Sequence, residues 1–187
     1  MAMITTPPLE PGRPAPDFQL RGIDDRTWSL EQAQGPKGVV VLFICNHCPF
    51  VKAVAPTLEA DARRLATAGV GLVAIMPNDT AAYPADSFEN MRTFAADHGF
   101  TFPYLIDETQ EVARAYGAVC TPDVFGFAAG PGGLQYRGQI DATRPNSPAP
   151  PNAPRDMAQA MLQIAKTGKG PTTQKHAAGC SIKWRPK

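Results

Sequence analysis

The stretch that decides the fold is Val39-Val-Val-Leu-Phe-Ile-Cys-Asn-His-Cys-Pro-Phe-Val-Lys-Ala-Val-Ala-Pro56. Val39 to Ile44 is apolar and rich in β-branched residues, with no polar alternation. That pattern predicts a strand buried on both faces. The turn Gly35-Pro36-Lys37-Gly38 leads into it. From Pro49 onward the apolar residues take helical spacing: Val51, Val54, Leu58, Ala62 and Leu65. A helix is predicted from Pro49 to about Ala68, kinked at Pro56 and capped by Gly69. Cys45 and Cys48 therefore flank the passage from strand to helix.

Proline suits the first helical position, because its missing N–H would be unpaired there. Cys48 is then the cap residue, and its sulfur meets free backbone N–H groups and the positive end of the helix dipole. Both favour thiolate over thiol, so its pKa is expected below the free value of about 8.5. A protonated His47 next to it adds to the effect. The thiolate is the nucleophile in disulfide exchange, which makes Cys48 the attacking residue. Turn residues i and i+3 lie within about 7 Å between Cα atoms, and a disulfide needs roughly 4.4–6.8 Å. A Cys45–Cys48 bridge is therefore feasible. Plainer readings stand beside these: Cys45 as a small core residue at a strand end, and His47 as a surface turn residue.

The rest of the chain alternates in type. Thr27 to Leu30 reads as a short strand or a helical turn. Val70 to Met76 reads as a second buried strand, followed by a loop from Asn78 to Pro84. Ser87 to His98 is predicted helical, with Phe88, Met91 and Phe94 on one face, ended by His98 and Gly99. Phe102 to Ile106 reads as a strand and Thr109 to Tyr116 as a helix closed by Gly117. Val124 to Ala128 and Leu134 to Ile140 form a hairpin around Ala129-Gly-Pro-Gly-Gly133. Arg155 to Lys166 is the last helix. Residues 168–187 are polar and irregular but hold Cys180, Ile182 and Trp184, so this tail is expected to pack on the domain. The order predicts an α/β fold with a central mixed sheet flanked by helices. Glu59, Glu89 and Asp141 read as surface or turn residues.

The chain has 187 residues, 43% hydrophobic and 19% charged, with a net charge of +1. These totals fit one globular domain and exclude a disordered chain. No basic stripe invites nucleic acid, and no apolar run is long enough to cross a membrane. Met1-Ala-Met-Ile-Thr-Thr-Pro-Pro8 lacks the pattern of an export signal, so a cytoplasmic location is expected. In that compartment a Cys-x-x-Cys points to redox chemistry or metal binding rather than to structural bridges. The four cysteines are Cys45, Cys48, Cys120 and Cys180. No cofactor and no resident metal is expected.

The segment Val41 to Pro56 resembles the thioredoxin and peroxiredoxin-like superfamily. A thioredoxin carries Trp-Cys-Gly-Pro-Cys-Lys and then Ala-Pro within the helix. Matching that Ala-Pro to Ala55-Pro56 sets its first cysteine on Cys48 and its second on Val51. Ala15-Pro-Asp-Phe-Gln-Leu20 is similar to the opening strand of redoxins, and Val119-Cys-Thr-Pro122 to the superfamily's cis-proline loop. The AhpC/TSA-type peroxiredoxin-like group with Asn-His-Cys-Pro-Phe-Val and a late Gly-Cys-x-Ile-Lys-Trp matches Asn46–Val51 and Gly179–Trp184.

The resemblance implies a thioredoxin-like domain over residues 14–167, an N-terminal arm over 1–13 and the tail over 168–187. It implies that Thr121 and Pro122 lie against the reactive turn, with Cys120 near Cys48. Two positions depart from the pattern: Val51 stands where a peroxiredoxin has its peroxidatic cysteine, and Leu42 where a thioredoxin has its buried acid. The implied function is a thiol–disulfide oxidoreductase. Cys48 attacks a protein or small-molecule disulfide, or weakly a peroxide. Cys45, Cys120 or Cys180 resolves, and a thiol reductant restores the thiols. The alternatives are a copper or zinc carrier using Cys45, His47 and Cys48, with His176 and Cys180 as a second set, or a redox sensor without turnover.

Overall fold

The computed structural model describes residues 3–186. Fifteen elements follow in chain order. They are β1 (Met3–Thr5), β2 (Gln19–Gly22), β3 (Thr27–Ser29), α1 (Leu30–Ala33), β4 (Gly38–Phe43), α2 (Pro49–Thr67), β5 (Val70–Met76) and α3 (Phe88–Asp97). Then come β6 (Tyr104–Ile106), α4 (Glu111–Tyr116), β7 (Cys120–Thr121), β8 (Asp123–Ala128), β9 (Leu134–Tyr136), α5 (Asp156–Thr167) and β10 (Ala178–Ser181).

β4 organises the molecule. Every one of its residues is buried, as a strand covered on both faces requires. Side chains alternate across a strand. Val40, Leu42 and Ile44 accordingly enter a core with Val51, Val54 and Leu58 of α2 and Met157 and Met161 of α5. Val39, Val41 and Phe43 enter a second core with Ala113 and Tyr116 of α4. β4 pairs antiparallel with β8 along its length, and β8 with β9. On its other side it runs beside β5, where Ile44 N–H donates to the Ile75 carbonyl at 3.0 Å. β5 pairs parallel with β6, and β6 antiparallel with β2. The result is the thioredoxin-like arrangement: a mixed sheet with helices on both faces.

A smaller antiparallel sheet of order β1-β10-β7 closes one end. It departs from the expectation of an irregular tail, because residues 178–181 form a strand between β7 and the N-terminal β1. Gly179 permits that close approach, since a Cβ there would lie 2.3 Å from the Thr121 carbonyl oxygen. The predicted strand Leu134 to Ile140 stops at Tyr136. Arg137 leaves the ladder for the buried Asp123 carboxylate (3.1 Å) and the Gly117 carbonyl (2.8 Å). β2 starts only at Gln19 and α4 only at Glu111, shorter than expected. Asp141 is not a surface residue: it is buried, pairs with Arg155 and caps the Thr143 amide at 2.7 Å.

Candidate active site

Cys48 is the N-cap of α2 and Pro49 the first helical residue. The helix runs through Pro56 without interruption and ends at Ala68, with Gly69 at a left-handed φ of 79°. The strand-to-helix turn is held by a carboxylate that nothing in the local sequence announces. Asp86 ends a short 3-10 turn, Pro84–Asp86, and is fully buried. It accepts the backbone N–H of Asn46 (2.8 Å) and of His47 (3.2 Å), and the side-chain amide of Asn78 (2.8 Å). It also meets His47 Nδ1 at 2.6 Å. Tyr104 donates to the Asn46 side chain at 2.9 Å and fixes the turn from the sheet side. The outer face of His47 stacks on Tyr83, with rings 9° from parallel.

Three sulfurs converge at this turn. The Cys48 thiol donates to the Thr121 carbonyl at 3.0 Å, and its Sγ lies 3.0 Å from Cys180 Sγ. Cys45 Sγ is 3.3 Å from the Thr121 hydroxyl and 3.9 Å from His47 Nδ1. β10 delivers Cys180 because it stands opposite Thr121 in the ladder. The peptide bond from Thr121 to Pro122 is cis. Cys120, the next residue along β7, has its Sγ 3.5 Å from the Pro122 carbonyl, and no sulfur is among its hydrogen-bond partners. Neighbouring residues of a strand point to opposite faces. Ser181, not Cys180, stands opposite Cys120. His176 is exposed and takes no part in this group.

The electrostatics separate the thiols. The neighbouring Cys45 thiol is the largest influence holding Cys48 below the usual thiol range. Burial opposes it, and the Cys180 thiol adds to it. Cys48 in turn, then burial and the Asp86 charge, push Cys45 far up. Burial first, then Cys48, raises Cys180. Burial and Asp123 raise Cys120. One sulfur is thus prepared to ionise while its two neighbours keep their protons. Cys48 nonetheless has no exposed surface, so a reactant meets it only after something moves.

Cys45, His47 and Asp86 bring ligand atoms within 4.8 Å of one another. A thiolate, an imidazole and a carboxylate suit zinc. Asp86 is already engaged by three N–H donors and the imidazole, so a metal would compete with the contacts that shape the turn. Asp86, Asn78 and Tyr104 were not legible as site residues. Asp86 is 39 residues from His47 in an ordinary Pro-Ala-Asp loop, and only the fold joins them.

The AhpC/TSA family model matches residues 11–140. A Mycobacterium tuberculosis protein named as a candidate peroxiredoxin is 31% identical over 124 residues, spanning 66% of this chain and 74% of that one. The crystal structure of an uncharacterised conserved protein from Geobacillus kaustophilus covers 100% of this chain and 98% of its own, with 42% identity and a TM-score of 0.92. A thiol:disulfide interchange protein of the thioredoxin family from Chlorobium tepidum covers 85% of this chain and 99% of its own, with 20% identity and a TM-score of 0.61. That last likeness is one of fold. Among the described residues, no helix is long and apolar enough to cross a membrane.

Proposed function

The chain belongs to the AhpC/TSA family, and from that premise we propose that it is a thiol–disulfide oxidoreductase with Cys48 as nucleophile and Cys180 as resolving cysteine. The carrying observation is the 3.0 Å approach of the two sulfurs at the N-terminus of α2. Cys48 thiolate attacks one sulfur of a substrate disulfide. A Cys48–substrate bond forms and the other sulfur leaves as thiolate, taking up a proton. Cys180, deprotonated in turn, attacks Cys48 Sγ. The Cys48–Cys180 bond forms and the second substrate thiol departs. Two electrons have passed to the substrate, and an external thiol reductant returns them. Cys45 is the largest influence lowering the Cys48 pKa, while His47, Thr121 and Pro122 shape the turn. Cys120 remains a weaker candidate for resolution, because its sulfur contacts a carbonyl rather than a sulfur. The cytoplasm, a reducing compartment, suits a resting state with all four cysteines as thiols.

Reduction of insulin disulfides in the presence of a dithiol, measured beside hydroperoxide consumption, tests this reading. Disulfide reduction is expected to dominate and to vanish in Cys48→Ser. Mass spectrometry of the oxidised protein is expected to find Cys48 joined to Cys180. Undiminished activity in Cys48→Ser would refute the assignment. A metal-carrier reading has one observation in its favour, the Cys45–His47–Asp86 cluster. Stoichiometric zinc or copper on the isolated protein, lost in Cys45→Ala, would favour it instead.

A further inference from the structure

Cys48, Cys45 and Cys180 are each at most 4% exposed. A protein disulfide cannot reach a sulfur so enclosed, and β10 lays the Cys180 sulfur against it. β10 lies antiparallel on β7, with Cys180 opposite Thr121, and it brings a cysteine sulfur onto Cys48. A strand that holds a cysteine sulfur 3.0 Å from Cys48 has the sulfur-to-sulfur approach that attack by Cys48 requires of any reactant. Its fit demands a glycine before the cysteine, because any Cβ at position 179 would meet the Thr121 carbonyl oxygen at 2.3 Å and its carbon at 2.7 Å. The outer edge of β10 pairs with the three-residue β1, and Thr6 extends that edge by donating to the Ala177 carbonyl (3.0 Å) and accepting the Ala177 N–H on its hydroxyl (3.1 Å). Beyond it, Ile182 is buried in the second core, Arg114 lies over the Trp184 ring, and polar contacts clip the tail. The Lys183 N–H donates to Asn78 (2.9 Å), Asp79 N–H donates to the Lys183 carbonyl (2.9 Å), and Arg185 N–H donates to Gln110 (2.8 Å).

Given that Cys48 is the nucleophile of a disulfide exchange, as proposed above, we infer that β10 is a displaceable internal occupant of the substrate edge of β7. Its release admits, in the same register, an extended segment of an oxidised protein whose cysteine follows a glycine. Main-chain pairing with β7 supplies affinity, and the space at position 179 supplies the selection. The chemistry and the strand exchange are one cycle. Cys48 thiolate attacks the substrate cysteine's sulfur; the Cys48–substrate bond forms, and the substrate's former partner leaves as a thiolate that takes up a proton. β10 then returns. Cys180 thiolate, its proton passing to water, attacks Cys48 Sγ, forming Cys48–Cys180 and expelling the reduced segment as β10 regains its edge.

Two peptides of sequence Ala-Gly-Cys-Ser-Ile and Ala-Val-Cys-Ser-Ile, each capped on sulfur as a mixed disulfide with thionitrobenzoate, test this with the full reduced chain. Thionitrobenzoate release in a single turnover is expected to be at least about tenfold faster with the glycine peptide. Equal release from the two peptides, with Cys48→Ser inert, would overturn the strand-exchange inference and leave the oxidoreductase reading standing. Equal release by wild type and Cys48→Ser would overturn both. Gly179→Val is a second test on the protein side. The added side chain is expected to lift β10 and to speed alkylation of Cys48 by iodoacetamide several-fold, with the far-ultraviolet spectrum unchanged. A folded Gly179→Val protein that alkylates no faster than wild type would contradict displacement.

Discussion

Cys48 owes its character to what surrounds a single sulfur. A free thiol ionises at about 8.5; at the N-cap of α2 Cys48 has two neighbouring thiols that pull it lower. The Cys45 thiol is the largest of these influences. Cys45→Ala is therefore expected to raise the Cys48 titration toward the free value, and to move the midpoint of the pH–rate profile for iodoacetamide alkylation upward with it. An unchanged pH profile would show that Cys45 is only a packing residue. The shift also has a stability consequence with a definite sign. Cys48 in the fold ionises below its unfolded value. The stabilisation is thus fully present above about 8.5 and is lost as pH falls through the folded-state value. The melting temperature of reduced wild type, minus that of reduced Cys48→Ala, is expected to rise with pH toward 8.5. Asp86 carries a different load. Its removal strands two backbone amides, the Asn78 amide and His47 Nδ1. Asp86→Ala is expected to lower stability in urea by about 3 kcal/mol or more.

Elements built from local pattern were legible in the sequence; those built by partners were not. β4 announces itself by an unbroken apolar run, and α2 by its spacing and Pro49. The placement of Cys48 at their junction follows from the two together. β10 gives no such signal, since Ala178-Gly-Cys-Ser181 has low strand propensity and becomes a strand only through the ladders on each side. β9 was overestimated because Arg137 is drawn off by a carboxylate distant in sequence. The same dependence on partners makes Gly126 in β8 sensitive. A Cβ there would lie 2.4 Å from Met161 Sδ and 2.9 Å from Tyr136 Cβ. Gly126→Ala is expected to cost about 1–3 kcal/mol, read by denaturant unfolding; Met161 can yield, Tyr136 Cβ cannot.

At the scale of the whole molecule, the first and last strands pair beside the reactive turn. β1 and β10 close the sheet over Cys48, and Asn78 links the tail to the Asp86 that shapes the turn. Oxidation is expected to strengthen this closure. Cys48 and Cys180 are 132 residues apart, and a cross-link over so long a loop stabilises by up to about 4–5 kcal/mol through the unfolded chain. The oxidised wild type is expected to unfold at higher urea than the reduced form. Cys180→Ser should show no such difference.

Everything depends on one thiol being acidic at the point where β4 gives way to α2. The direct measurement is the pH titration of thiolate ultraviolet absorbance in the reduced chain, with the Cys48→Ser curve subtracted. A single midpoint well below about 8.5 is expected. A midpoint at or above that value would make Cys48 an ordinary thiol, even with the fold intact.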